Sequence, residues 1–441
     1  MLFSRLLILV AILAVFVPLS LAGDSWPEWR GPRGQGISDA TDLPVLWSED
    51  RNVAWKTAIF GRGWSTPVID DGKVWVTTAT DVPASKEEAI ERRKTTTNSM
   101  PLRISSSASM FVVCLDLKSG NILSKTELLT EKDPQMIHAD NSYATPTPII
   151  EGQRLYCHFG PSGMVCLDTA ESKIVWTNHS VRVKHENGPG SSPILWNDLL
   201  IVHCDGIDLR YIMAIDKDTG KEVWKTDRTG KLHNEVQMRK SYTTPLIIDV
   251  DGRAQVISAA ADWVYGYDPN DGRELWKMAY GKLGFSNSAR PVAGNGLVYI
   301  CTGYMQSQLL AFRPGGTNGR QPELVWKFDK QVPAVGCPLL VGGDLYMVSD
   351  RGIATCLDAD SGEVIWKERI GKNYWASPIL VDGRIHFFGR DSTTTVLEPG
   401  RTFKKLADNK LSGEQLATAG AVDGSLLIRT DEALYCLRKL R

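Results

Sequence analysis

The sequence predicts an all-β protein, a closed eight-bladed β-propeller of four-stranded blades. Three observations predict it. A short pattern ending in tryptophan recurs along the chain. A proline landmark recurs with spacings of 81, 45, 52, 46, 47 and 40 residues. Between these marks, alternating apolar residues are separated by Gly/Asp turns, the signature of hairpins. Periods near 40 to 50 residues built from short strands indicate blades rather than helical repeats.

The tryptophan pattern is clearest in Ala214-Ile-Asp216-Lys-Asp-Thr-Gly220-Lys-Glu-Val-Trp224, in Gly266-Tyr-Asp268 through Gly272 to Trp276, and in Cys356-Leu-Asp358 through Gly362 to Trp366. Cys166-Leu-Asp168 reaches Trp176 without the glycine, and Trp326 follows a longer Gly-rich loop. Cys114-Leu-Asp116 to Gly120 has Ser124 in place of the tryptophan. The second landmark is a small or hydroxyl residue, proline and apolar residues, at Pro67, Pro148, Pro193, Pro245, Pro291, Pro338 and Pro378; Ala419 marks an eighth copy without proline. The sixth unit shows the four strands: Pro338 to Val341, Leu345 to Ser349, Ala354 to Asp358 and Val364 to Glu368. The last unit, Ala419 to Leu440, supplies three strands. Asn52-Val-Ala-Trp55-Lys-Thr57 is an orphan outer strand, so pairing of the two chain ends closes the eighth blade. Closure protects the strand edges. Seven complete blades with a loose end are the alternative.

The chain divides into residues 1–22, a strap over 23–51, and one propeller over 52–441 with an insertion at 81–109 in the first blade. Arg5, the apolar run Leu6 to Val17 and Ser20-Leu21-Ala22 read as a secretory signal peptide cut after Ala22, with an uncleaved anchor as the alternative. An exported, periplasmic or extracellular protein follows. Lys86 to Lys94 reads as a short charged helix, and Thr95 to Ser109, rich in Ser and Thr, as a mobile stretch. Fifty Lys+Arg against 51 Asp+Glu leave a net charge of −1, which excludes a basic nucleic-acid footprint.

The Asp-to-Trp repeat resembles the tryptophan-docking motif of pyrroloquinoline-quinone (PQQ) repeat propellers, carried here by Trp55, Trp176, Trp224, Trp276, Trp326 and Trp366. The opening Trp26-Pro-Glu-Trp29-Arg-Gly-Pro-Arg-Gly-Gln-Gly36 is similar to the start of exported PQQ-repeat proteins of planctomycete type. The resemblance implies that each tryptophan packs between blades. The family holds PQQ-dependent dehydrogenases and cofactor-free, BamB-like scaffolds. The dehydrogenases typically pair PQQ with Ca2+, an Asp base and, in many cases, a disulfide between adjacent cysteines. This chain has neither a Cys-Cys pair nor Cys-x-x-Cys-His, so neither PQQ nor Ca2+ is expected as a cofactor, and no other metal. Asp249-Val-Asp251-Gly and Asp216-Lys-Asp218 fall on hairpin turns and lack the ligating Glu of a calcium loop. Serine-elbow, zinc-helix and phosphate-loop motifs are absent. Asp205-Gly-Ile-Asp208 places two acids on one loop, as many solvated loops do. The eight cysteines follow the repeat register; Cys114, Cys166, Cys356 and Cys436 share a slot that Ala214, Gly266 and Ala311 fill elsewhere. They are expected to be reduced and buried.

Strand direction alternates within a blade, so one face carries tight generic turns and the other carries longer, varied connections. Candidate ligand or partner residues on the varied face are His138, Asp140, His185, Glu186, His233, Arg239, Arg290, Tyr374 and Trp375, with no catalytic residue assigned. The expected function is a non-catalytic scaffold binding an envelope protein or an extracellular glycan or peptide. The alternative is a PQQ-type oxidoreductase or a hydrolase using the same face.

Overall fold

The computed structural model describes residues 24–440; the signal-peptide reading of residues 1–22 lies outside them. Eight four-stranded antiparallel sheets form the blades of a propeller. The first blade joins Val68–Asp70, Lys73–Pro83, Ser105–Asp116 and Ile122–Lys132. The sixth joins Leu339–Val341, Asp344–Val348, Ile353–Asp358 and Val364–Arg369, each within about two residues of the strands read from the sequence. In the eighth blade, Gly420–Val422, Ser425–Arg429 and Ala433–Leu437 are completed by Val53–Ala58 from the other end of the chain. Trp55 pairs with Cys436 and Thr57 with Leu434, so the ring closes as the orphan strand required.

The insertion differs from the sequence reading. The two long strands of the first blade run on to Pro83 and resume at Ser105, so strand pairing takes up both ends of the segment. The charged helix spans Lys86–Arg93; Ser85 Oγ accepts from the Glu88 N–H, and acids open it while Arg92 and Arg93 close it, matching the helix dipole. Thr95 to Ser109 is not a loose tail. Its second part is strand, and buried Asn98 donates its Nδ2–H to Asn187 Oδ1 at 2.7 Å.

The rim of the ring is held by a repeated dock. Trp176 donates its Nε1–H to Lys217 O at 2.9 Å and lies over Gly220 of the next blade. A Cβ on Gly220 would sit 2.6 Å from the Trp176 ring, and its φ of +69° also demands glycine. Trp55, Trp224, Trp326 and Trp366 bond in the same way to Leu117, Pro269, Ala359 and Gly400. Trp276 reaches the next blade through Gln255, which passes the bond on to Gly315 O. Burying each ring stabilises by roughly 1.5–3 kcal/mol. The shared cysteine slot lies opposite the tryptophan on the neighbouring strand, as in Cys166↔Trp176 and Cys356↔Trp366, which explains why only Cys, Ala or Gly fit there. All eight cysteines are buried free thiols.

Two junctions lack the dock, and each compensates. Ser124 replaces the first blade's tryptophan, Ser172 replaces the second blade's glycine, and the two hydroxyls meet at 3.4 Å. In the seventh blade Ala407 occupies the tryptophan register. The eighth blade has no turn to receive a dock, because its outer strand comes from the N-terminal end. Trp47 joins Ala407 in the same buried cluster, and its backbone N–H donates to Asn409 Oδ1 at 2.8 Å.

At the axis, the residue before each proline landmark has its own structural use. The Thr66 N–H donates to Thr147 Oγ1, Thr147 N–H to Ser192 Oγ, and Ser192 N–H to Thr244 Oγ1. The series resumes as Arg290 N–H to Cys337 Sγ, Cys337 N–H to Ser377 Oγ and Ser377 N–H to Thr418 Oγ1. These bonds form a girdle that ties six of the eight innermost strands to the next one round the ring. The following proline has no N–H to satisfy.

The N-terminal segment does not run as a simple strap across the outside. Trp26 exchanges backbone bonds with Ile69, Pro27 O accepts from the Ile150 N–H, and Gly36 and Ser38 pair with Leu380. These partners belong to innermost strands, so residues 26–38 form a loop that plugs the channel. Thr41 and Leu43 then bond to Asp423 and Asp382 on the tight turns.

Candidate functional site

A cavity of about 640 Å³ opens at the loop-rich end of the channel, with Trp29 of the plug and the girdle residues Thr147, Ser192, Ser377 and Thr418 among its lining. Its wall has a simple origin. The residue three positions before each landmark lines it in all eight blades: Trp64, Thr145, Gly190, Tyr242, Ser288, Val335, Trp375 and Leu416. One repeat position thus builds a ring whose chemistry changes from blade to blade. Blades six, seven, eight and one supply Val335, Trp375, Leu416 and Trp64, an apolar arc. Blades two to five supply Thr145, Gly190, Tyr242 and Ser288, smaller or more polar.

The two tryptophans of the apolar arc are held in place. Trp64 Nε1–H donates to Asp140 O at 2.9 Å. The Arg390 guanidinium lies 4.8 Å from the Trp375 ring centre and donates to Asp140 Oδ1 at 3.0 Å and to Glu414. His138 Nδ1 accepts from the Asp140 N–H at 3.1 Å, and burial lowers the His138 pKa despite the nearby carboxylate. On the polar arc, Lys240 is 1% exposed and donates to Gln237 Oε1 at 2.6 Å. Burial lowers its pKa to about 8, against the opposing pull of Glu186. The carboxylate of Glu186 accepts from Gln237 Nε2. Ser286, whose N–H donates to Lys240 O at 2.8 Å, carries a buried hydroxyl with no hydrogen-bond partner among the described residues.

Of the nine candidate residues, His138, Asp140 and Trp375 line the cavity. Six do not. Arg290 is buried and points to the plug, donating to Glu28 Oε2 at 3.0 Å, Trp29 O at 2.9 Å and Pro245 O at 3.0 Å. It replaces a girdle hydroxyl and clamps the plug instead. Tyr374 is buried in the core beside Tyr346 and Phe387 because the residue next to an inward-facing Trp375 must face away. His185 is buried against Tyr242, and desolvation takes its pKa down to about 3. Glu186 is 8% exposed and held by Gln237. Arg239 folds back on its own loop, donating to His233 O at 2.7 Å and Asn234 O at 3.1 Å, and so fixes His233 away from the cavity. Asp205 is consumed by a buried network, accepting from Arg228 Nε at 2.7 Å while Arg228 Nη2 donates to His203 Nδ1 at 2.8 Å. Sequence reading missed Trp29, Trp64, Lys240 and Arg390. The landmark register marks Trp64, and nothing local marks Lys240 or Arg390.

Comparison with known proteins gives the lineage. The family model for outer membrane protein assembly factor BamB matches residues 108–368 and 260–402, more than half of the chain. The BamB of Yersinia pestis is 24% identical over 203 residues, covering 42% of this chain and 49% of that protein. The BamB of Burkholderia pseudomallei is 25% identical over 209 residues, covering 36% of this chain and 50% of that protein. The chain thus spans about half the length of the curated relatives it matches. Among solved structures, BamB from Moraxella catarrhalis superposes with a TM-score of 0.56 at 13% identity, over 88% of this chain and 99% of that one. A europium-containing methanol dehydrogenase superposes at 0.54 and 12% identity, over 86% and 90%. At such identities the structural likeness concerns the fold alone. The family match, with the six docking tryptophans and the closed eight-bladed ring, places the chain in the PQQ-repeat, BamB-type propeller family.

Proposed function

We propose that this protein is an exported, non-catalytic scaffold that binds an envelope protein or an extracellular ligand through the channel mouth. The observation that carries the reading is the lining ring. One repeat register supplies eight different environments around a single cavity, while the docks and girdle stay nearly constant. Variation at a fixed position is what recognition requires of a repeat scaffold. Two fixed tryptophans supply the large rigid surfaces that anchor interfaces. The matching relatives are named outer membrane protein assembly factors, and an envelope partner fits that name. The test is capture from envelope extract with the mature chain, alongside Trp375→Ala. A partner lost in that variant supports the reading; equal capture by both contradicts it. Export is checked by mass spectrometry of native material, where an N-terminus at Gly23 is expected and a retained Met1 in the cytoplasm contradicts it.

The likeness to a methanol dehydrogenase keeps a quinone-dependent oxidoreductase as the second reading. The residues fit it poorly. Among those described, no group of three or more His, Cys, Asp and Glu could hold a cation beside a quinone. A hairpin-like plug also occupies the channel below Trp29. The scaffold reading therefore includes no cofactor. Reduction of an artificial dye after addition of PQQ and Ca2+ would reverse that choice.

A further inference from the structure

The eight-residue lining ring of the mouth is amphipathic, and the division falls between its halves. Val335, Trp375, Leu416 and Trp64 make a continuous apolar arc across blades six to one. Facing it, blades four and five bring Lys240 and Ser286 to the same cavity. Lys240 is buried yet has three N–H donors, and among the described residues Gln237 Oε1 is its one hydrogen-bond partner. The Ser286 hydroxyl has none. Buried donors without acceptors are costly, so the corner is built for an acceptor that arrives from outside. The Glu186 carboxylate accepts from Gln237, and among the described residues it makes no hydrogen bond or ion pair with Lys240. Arg390 does not line the cavity, and its Nε and Nη2 donate to Asp140 and Glu414.

Resting on the mouth as the binding surface, we infer that its ligand is a carboxylate with an apolar body, the head on Lys240 and Ser286 and the body against the Trp64–Trp375 arc. One cation and one hydroxyl match a singly charged head. The carboxylate could belong to a small organic acid or to the free end of a peptide, and the two sources share this chemistry.

Isothermal titration of the mature chain separates the possibilities. The probes are 3-phenylpropionate and its neutral amide, and a short N-acetylated peptide ending in phenylalanine as free acid and as amide. At least one acid should bind about tenfold tighter than its amide, the worth of a charge-assisted hydrogen bond. Binding of the small acid alone, or of the peptide acid alone, identifies the source. Lys240→Met should abolish the acid–amide difference while the melting curve shows the variant folded. Trp375→Ala should weaken acid and amide alike. With wild type, the preference for the acid should fade as pH rises through about 8, where Lys240 loses its proton. Glu186 is the charged group beside it; His138 and Asp140 line the mouth elsewhere, and Arg390 stands against Trp375 and Asp140. Equal binding of acid and amide, no binding of either, or a preference unchanged in Lys240→Met overturns the inference. If Trp375→Ala still loses the envelope partner in that case, the mouth remains the binding surface and only the ligand class falls.

Discussion

The rim and the mouth of this ring are built from the same repeat but use it in opposite ways. At the rim the repeat delivers the same residue six times, a tryptophan that bonds to the next blade's turn, in one case through Gln255, and in most blades covers a glycine there. Where the tryptophan is missing, its partner glycine is missing too, as Ser124 and Ser172 show. At the mouth the repeat delivers one register and eight residues that share little. The contrast separates jobs. A position that must make the same contact in every blade keeps its residue, and the mouth register, which makes no such shared contact, varies.

The largest expected effect lies at the rim. Trp224→Ala should cost about 3–5 kcal/mol, the range for removing a buried aromatic, read as the shift of a urea unfolding curve. Gly272→Ala should destabilise in the same sense, because its Cβ would lie 2.3 Å from the Trp224 ring at a φ of +71°. Neither should alter what the folded mouth binds. A rim substitution that changed partner binding without changing stability would erase the distinction.

Arg290→Ala tests the axis. It strands the half-buried Glu28 carboxylate and frees the plug carbonyl at Trp29, so a loss of up to about 3 kcal/mol is expected, together with a change in tryptophan fluorescence as Trp29 shifts. Unaltered melting and fluorescence would mean the plug is held by its backbone bonds alone. Sequence reading took Arg290 for a binding residue because it sits in the landmark series. The series was legible; the inward turn of one long side chain at a hydroxyl position was not, since it depends on Glu28 at the far end of the chain.

The undocked junction predicts a pH dependence. His386 lies between Trp47 and Phe388, neither ring nitrogen has a partner among the described residues, and burial lowers its pKa from 6.5 to about 4. The unfolded chain therefore binds the proton first as pH falls. The stability from this site is complete above about pH 6.5 and is lost progressively toward pH 4, a difference on the order of 3 kcal/mol. His158 is likewise lowered to about 4 and adds in the same direction. Stability of His386→Phe, measured from pH 7 to 4, should fall less steeply than wild type. An identical slope would refute the buried neutral imidazole.

The smallest stability effect belongs to the mouth. Trp375→Ala should change folding by no more than about 1 kcal/mol, as for a residue outside the core, while weakening partner capture. A large destabilisation would make Trp375 a rim-type residue.

The uneven legibility of the sequence follows from these two uses. Blade number, strand order, ring closure and the docking tryptophans were readable because identical contacts leave identical residues. The mouth was readable only in outline. His138, Asp140 and Trp375 were found among loop residues, whereas Tyr374 was misplaced by one side-chain alternation. Arg390 was missed because its partner Asp140 lies on another blade, and Lys240 because its burial at the mouth is set by the packing of the ring and not by its own loop, where its partner Gln237 stands three residues earlier. The plug was invisible because its backbone partners, Ile69, Ile150 and Leu380, lie on innermost strands of different blades far along the chain, and backbone pairing leaves no mark in residue type.

The central claim, that recognition belongs to the mouth, is tested most directly by site-specific photo-crosslinking in the native envelope. A photoreactive phenylalanine replaces Tyr304, an exposed lining residue, in one protein and Asp423, on a tight turn of the opposite face, in another. The account predicts a discrete adduct from position 304 and none from 423. An adduct from 423 with none from 304 would contradict it and move the binding surface to the turn face.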